Sequence, residues 1–413
     1  MRYARILAIL SILSLVVWTA YSDDVAELRQ GGQAAVDELH AQVPKASPAD
    51  RAALEARLDR VCGQKDCAAS RLFWFTDLEE AKVAAQRLHR PILALHLLGR
   101  LDEELSCANS RLFRTLLYSD DSISSVLRDQ YVLYWHSVRP VPRVTIEMGD
   151  GRVIRQTITG NSAHYLLDEN GDVLDVLPGL YSPAAFRTQL QRWTELHRSL
   201  ANANVATRRE IVRGYHASLL AVAVPMARGR ITVAKSLEPL ELDTSKMNKS
   251  TIEALKRAQR RRPTAIDASK MVMTKTAIER PMLAQLQRPT AVPVVDLQPL
   301  SEWIAIGEAK KDEVQFSDAA IELIRTKQFG TEPVAPEAMR DLLDNLRRNV
   351  AADTALNEQT MRPRIHAWFA NGEVTDLTSL NDRVYRDLFL TPNDDPWLGL
   401  QPPTVFTGIG GGS

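Results

Sequence analysis

Residues 92–98 read Ile92-Leu93-Ala94-Leu95-His96-Leu97-Leu98, and residues 107–110 read Cys107-Ala108-Asn109-Ser110. The first is an almost unbroken apolar run between Pro91 and Gly99, as in a central strand covered on both faces. The second precedes a helical pattern in which Leu112, Leu116 and Leu117 supply the apolar positions. A thiol at a helix start faces unpaired N–H groups and the positive end of the helix dipole, which favours thiolate. Thiolate is the nucleophile in disulfide exchange. Ser110 stands three residues on, so no second thiol is adjacent to complete an exchange.

The neighbouring stretches extend this α/β reading. Thr76-Asp77-Leu78-Glu79 reads as a capping box, with Thr76 as the cap and Glu79 reaching back. Leu78, Ala81, Ala85 and Leu88 then predict one helical face, ended by Pro91. Asp120-Asp121-Ser122 opens a short helical turn carrying Ile123, Val126 and Leu127. Tyr131 to Trp135 is strand-like in its aromatic and branched content. Gly149-Asp150-Gly151 between Val144–Met148 and Arg152–Thr157 predicts a hairpin, and Asn170-Gly171 between His164–Leu167 and Val173–Leu177 predicts another. Ser182-Pro183 predicts a capped helix whose apolar face is Phe186, Leu190 and Trp193.

This order, together with particular residues, resembles the thioredoxin-like family over about a third of the chain. The shared features are Trp74-Phe75-Thr76-Asp77-Leu78-Glu79, Arg90-Pro91-Ile92-Leu93, the Cys107-to-Ser110 turn, Tyr131-Val132, Leu166-Leu167-Asp168 with Asn170-Gly171, and Leu177-Pro178-Gly179. The resemblance implies a thioredoxin-like α/β domain and protein disulfides as the substrate class. There are three departures. Ser110 replaces the second cysteine of the motif. Ser162 falls where the family has a cis-proline. A hairpin is expected at Arg143 to Thr157, where the family usually has a helix.

The 413 residues include 51 basic and 51 acidic side chains, so nothing global points to nucleic acid or to an acidic membrane surface. Arg2 and Arg5, the apolar Ile6–Thr19 and Ala20-Tyr21-Ser22 read as a signal peptide over 1–22, with a retained anchor as the alternative. Membrane association is expected only if that segment stays uncleaved. Export would place the three cysteines in an oxidising compartment, periplasmic or extracellular. There Cys62 and Cys67 could pair across Gly63-Gln64-Lys65-Asp66; the alternative is three reduced, partly buried thiols.

Five further segments are expected. Residues 23–70 read as a helical N-terminal segment with Pro48 at a helix start, and residues 71–200 as the thioredoxin-like domain. Residues 201–310 read as a basic, loosely patterned connection. Within it Lys246 to Arg280 holds ten Lys or Arg against three acids, without interleaved aromatics; a solvated face or linker is favoured over a polyanion site. Residues 311–400 read as a helical C-terminal domain. Ser317 caps Ala319–Lys327, and two apolar faces follow: Met339, Leu342, Leu343, Leu346 and Val350, then Leu377, Leu380, Val384 and Leu388. Pro392 and Pro396 end the regular structure, and residues 401–413 form a flexible Gly-rich tail.

The candidate site consists of Cys107, Ser110, Asn161, Ser162 and His164. If Ser162 takes the family's cis-proline position, as the resemblance implies, the Gly160–His164 loop faces Cys107, where Asn161, Ser162 or His164 could donate to a thiolate or a bound carbonyl, and His164 could act as a base. A structural role for His164, as for His366 near Trp368, is the simpler expectation. Asp168-Glu169-Asn170-Gly171-Asp172 starts like a calcium loop, but Gly179 stands where its bidentate Glu is required. No metal or cofactor is expected: P-loop, dinucleotide and His-Glu-x-x-His patterns are absent from the sequence. Two functions compete. One is monothiol disulfide exchange through Cys107, which requires an exposed thiol. The other is a non-catalytic binding or structural module of the cell envelope, with a protein partner or with the C-terminal helices used for assembly.

Overall fold

The chain is described by a computed structural model over residues 24–157, 160–228, 300–330, 332–389 and 391–392. The expected signal peptide, the Lys246–Arg280 basic stretch, Pro396 and the 401–413 tail lie outside the described residues.

The N-terminal segment builds a small core of its own. Helix α1 (Gly32–His40) packs on α2 (Pro48–Cys62), which Ser47 caps by accepting from Asp50 N at 3.2 Å. Val36, Leu39, Leu58, Val61 and Phe73 enclose the Cys62–Cys67 disulfide, so the expected pairing is present. Gly63 takes a positive φ of 67° where α2 turns back, a conformation that favours glycine.

Helix α3 (Leu78–Leu88) starts one residue later than the capping-box reading predicts. Asp77 is the cap, accepting from Glu80 N at 3.0 Å. Its buried stripe is Ala81, Ala84 and Ala85, while Leu88 is exposed. Strand β1 (Ile92–Leu98) is buried at every position, as the unbroken apolar run requires. It leads into the short helix α4 (Ala108–Leu112), which continues as a π-turn over Phe113–Leu117. Helix α5 (Asp121–Gln130) is capped by Asp120 and is longer than the single turn expected. Strand β2 (Val132–Arg139) follows; then come the hairpin strands β3 (Arg143–Glu147) and β4 (Val153–Thr157), as expected from their glycine-rich turn. Strands β5 (Ser162–Leu167) and β6 (Val173–Pro178) form the second expected hairpin, and α6 (Pro183–Leu200) carries buried Phe186, Leu190 and Trp193.

The main sheet has the order β2-β1-β5-β6. Strands β1 and β2 run parallel, whereas β5 is antiparallel to both β1 and β6. Beyond β2, Phe75 adds a parallel bridge: its N–H donates to Leu133 O and its carbonyl accepts from Trp135 N. Strands β3 and β4 form a separate two-stranded sheet.

The region expected to loosen after Asn202 instead begins with a long helix, α7 (Val205–Arg228). The helical C-terminal part comprises α8 (Leu300–Lys310), α9 (Asp318–Phe329), α10 (Pro336–Leu356), α11 (Arg362–Ala370) and α12 (Leu377–Arg383). Two further π-turns, Asn357–Met361 and Val384–Leu388, continue α10 and α12. Ser317 caps α9 as expected, and Leu380, Val384 and Leu388 are buried. This part does not stand as a separate core. Its Leu343, Val350, Ile365, Trp368 and Tyr385 belong to one apolar cluster with β1, β5 and α6. Among the described residues, no helix is long and apolar enough to cross a membrane.

Candidate functional site

Alternation along β5 puts Ser162 and His164 on one face of the sheet and Ala163 and Tyr165 on the other. On the first face, Ser162 meets the start of α4. Cys107 Sγ lies 2.8 Å from Ser162 Oγ and 3.3 Å from Ser110 Oγ. Ser110 in turn donates to the Cys107 carbonyl at 2.9 Å, and its Oγ accepts from the Ser106 hydroxyl at 2.7 Å. The Asn161 carbonyl sits 3.9 Å from the thiol. The expected meeting of the Gly160–His164 loop with Cys107 is therefore present. Ser162 follows a trans peptide, since there is no cis bond among the described residues. Gly160 is a point of close approach: a Cβ there would lie 3.1 Å from Asn109 Oδ1.

The site is closed. Cys107, Ser110 and Ser162 are each 0% exposed. The cover comes from the far end of the chain. Tyr385, in the π-turn after α12, donates its hydroxyl to the Asn161 carbonyl at 3.1 Å, and Asn161 Nδ2 donates to Thr391 Oγ1 at 2.8 Å. Asn161 thus joins the site through its backbone, while its side chain holds the cover. Neither Tyr385 nor Thr391 is detectable in the sequence by spacing from Cys107; the one hint is that Tyr385 directly follows Val384 on the apolar stripe that runs from α12 into its π-turn.

His164 does not join Cys107 as a base. Its Nε2 lies 2.7 Å from the Tyr118 hydroxyl, and its ring packs between Phe113 and Phe186. Burial pushes its pKa down to about 3. A neutral, aromatic-packed imidazole with a phenol partner is a core group. The hydrogen-bond partners of Cys107 Sγ are two hydroxyls and a carbonyl, a neutral set that can fix the side chain. Attack on a disulfide needs the sulfur to reach a second sulfur in line, and Cys107 is fully buried.

A second polar cluster joins the same two parts of the molecule at β6. Arg362 Nη1 and Nη2 donate to Asp175 Oδ1 at 2.6 Å and Oδ2 at 3.0 Å. Trp193 Nε1 reaches Asp175 Oδ2 at 2.8 Å. Burial opposes ionisation of Asp175, but the Arg362 guanidinium holds its carboxyl well below the usual carboxylate range. His216 Nε2 donates to Leu174 O at 2.9 Å, which leaves its Nδ1 as the acceptor for His366 Nδ1–H at 2.8 Å. Arg362 also donates to Val176 O. The carbonyls of Leu174 and Val176, alternate residues of the edge strand, are thereby sealed by side chains of α7 and α11. His366, expected to be partly buried, is buried in this cluster.

Asp175, His216 and His366 offer ligand atoms within 4.8 Å of one another, a spacing compatible with a metal ion. The Arg362 fork already neutralises the carboxylate, and one proton already bridges the imidazoles. A dication added there would leave uncompensated charge in a buried site. The cluster is complete as a hydrogen-bonded ion pair without an ion. Asp168, at the rejected calcium loop, accepts from Asn170 N and Asp172 N and pairs with Arg208 at 2.5 Å, as a hairpin turn requires.

No protein-family model matches the chain, and no curated protein matches it.

Proposed function

We propose that this protein is a non-catalytic, extracytoplasmic module built on a thioredoxin-like α/β unit. In this reading the former redox site serves as a joint for the chain's own C-terminal helices. The observation that carries the reading is the complete burial of Cys107 beneath Asn161, whose backbone and side chain are held by Tyr385 and Thr391. The parallel β2-β1 pair extended by antiparallel β5 and β6, with a Phe75 bridge beyond β2, supports the fold assignment. A hairpin stands where the resemblance implies a helix. The C-terminal layer reaches the Tyr165 face of the sheet through Asn381, which accepts from the Tyr165 hydroxyl at 3.0 Å. The Cys62–Cys67 disulfide supports an oxidising compartment. The function that follows is presentation of a rigid scaffold to a protein partner in the envelope.

The test is thiol labelling of the purified native protein, followed against pH, in wild type and Cys107→Ser. The expected result is no rapid labelling until denaturant is added, after which one thiol per chain reacts in wild type and none in the variant. A rapidly reacting native thiol that disappears in Cys107→Ser would overturn the reading. It would favour monothiol exchange with protein disulfides instead.

A further inference from the structure

On the Tyr165 face of the sheet, β1 and β2 set two histidines side by side. His96 and His136 are register partners across the parallel pair. Their ring centres are 5.2 Å apart and tilted by 54°. His96 is 5% exposed, whereas His136 is exposed to solvent.

Hydrogen bonding fixes the chemistry of His96. Asn381 Oδ1 accepts from His96 Nδ1 at 2.8 Å and from the Tyr165 hydroxyl at 3.0 Å. Because that oxygen can only accept, His96 carries its proton on Nδ1 and presents a lone pair at Nε2. This Nε2 is buried and has no hydrogen-bond partner among the described residues. An orphaned buried acceptor is destabilising, and the His96 ring also packs against the rings of Tyr134 and Tyr165.

We propose that His96 and His136 bind one divalent transition-metal ion of the zinc, nickel or copper class, reached from the exposed His136 side. A ligating imidazole typically donates its other N–H to a fixed oxygen, as His96 does to Asn381. With metal–nitrogen bonds of about 2.0–2.1 Å, two imidazoles sharing a tetrahedral ion have ring centres roughly 5 Å apart. The observed ring-centre distance of 5.2 Å matches that spacing. The pair differs from the Asp175 cluster in two respects: it has no ion pair, and one ligand nitrogen is unused. Because Asn381 belongs to α12, an ion here would also stiffen the contact between the C-terminal layer and the sheet.

The test uses untagged, chelator-treated full-length protein. Zinc is titrated by calorimetry, and copper(II) binding is read by electron paramagnetic resonance. One ion per chain is expected, with nitrogen coupling from two imidazoles. His136→Gln alters an exposed side chain and leaves the core in place; it should weaken zinc binding about tenfold or more and reduce the imidazole coupling to one ring. His89→Gln, an exposed histidine just beyond α3, should change neither. Absence of binding at millimolar zinc would overturn the proposal. So would zinc affinity or two-ring coupling that persists in His136→Gln.

Discussion

The Cys107 pocket and the Asp175 cluster both fasten the C-terminal helices to the four-stranded sheet, but by opposite means. The first fastens through neutral groups, a thiol, three serines and the Asn161 amide joined by Tyr385 and Thr391, with the Arg114 guanidinium only at its edge, 3.5 Å from Ser106 Oγ. The second is ionic, with a buried carboxylate held in the fork of Arg362 and flanked by a histidine pair. A neutral hydrogen bond contributes about 0.5–1.5 kcal/mol net, whereas one partner of a buried ion pair left alone costs several. The ionic joint should therefore be much the more sensitive to substitution, although the neutral joint is the one that covers the reactive atom.

The largest expected effect tests that asymmetry directly. Arg362→Ala leaves Asp175 buried beside Trp193 without its cation and should lower stability by about 3–5 kcal/mol, measured by urea unfolding at neutral pH. Replacing both partners, as in Asp175→Leu with Arg362→Leu, should recover a large part of the loss. A loss below about 1 kcal/mol for Arg362→Ala, the size of a single neutral hydrogen bond, would show that the pair is not the principal fastening.

The next effect concerns acid. Burial lowers the pKa of His164 to about 3 and that of His366 to about 2, with Arg362 adding to the effect on His366; His216 is also lowered by burial. In the unfolded chain a histidine titrates near 6.5. The folded pKa lies below the unfolded one, so the unfolded state takes up more protons. Stability is complete above pH 6.5 and is lost as pH falls, by about 1.4 kcal/mol per pH unit for each such histidine. His164→Gln should remove about one proton's share of that slope between pH 6.5 and 5. Equal slopes for wild type and His164→Gln, from urea midpoints over that range, would mean that His164 is not held neutral.

The two joints were unequally legible in the sequence. The apolar run at 92–98, the glycine turns, Pro48 at a helix start and the Ser182 and Ser317 caps are local signals, and each marks the element it predicts. The approach of Ser162 to Cys107 came from a family resemblance. The capping box failed by one residue because Asp77 and Thr76 are both competent caps and only the helix register decides between them. Arg362, Asp175, Tyr385 and Thr391 were not found, because their partners lie from 187 to 230 residues away. Periodicity marks a buried face without naming what covers it. The same limit made the C-terminal helices look like a separate domain.

The smallest effect discriminates best between the joints. Tyr385→Phe keeps the ring and removes only the hydroxyl that donates to the Asn161 carbonyl. Its loss should cost about 1 kcal/mol. If Cys107 reacts only through transient lifting of the cover, native-state labelling should rise by about fivefold. Arg362→Ala, at about 3 kcal/mol or more, should raise the same rate a hundredfold or beyond if both joints open together. Should Tyr385→Phe accelerate labelling while urea stability stays unchanged, the cover opens locally and the ionic joint stays shut. The C-terminal layer would then be two independent fastenings, with only the neutral one guarding the thiol.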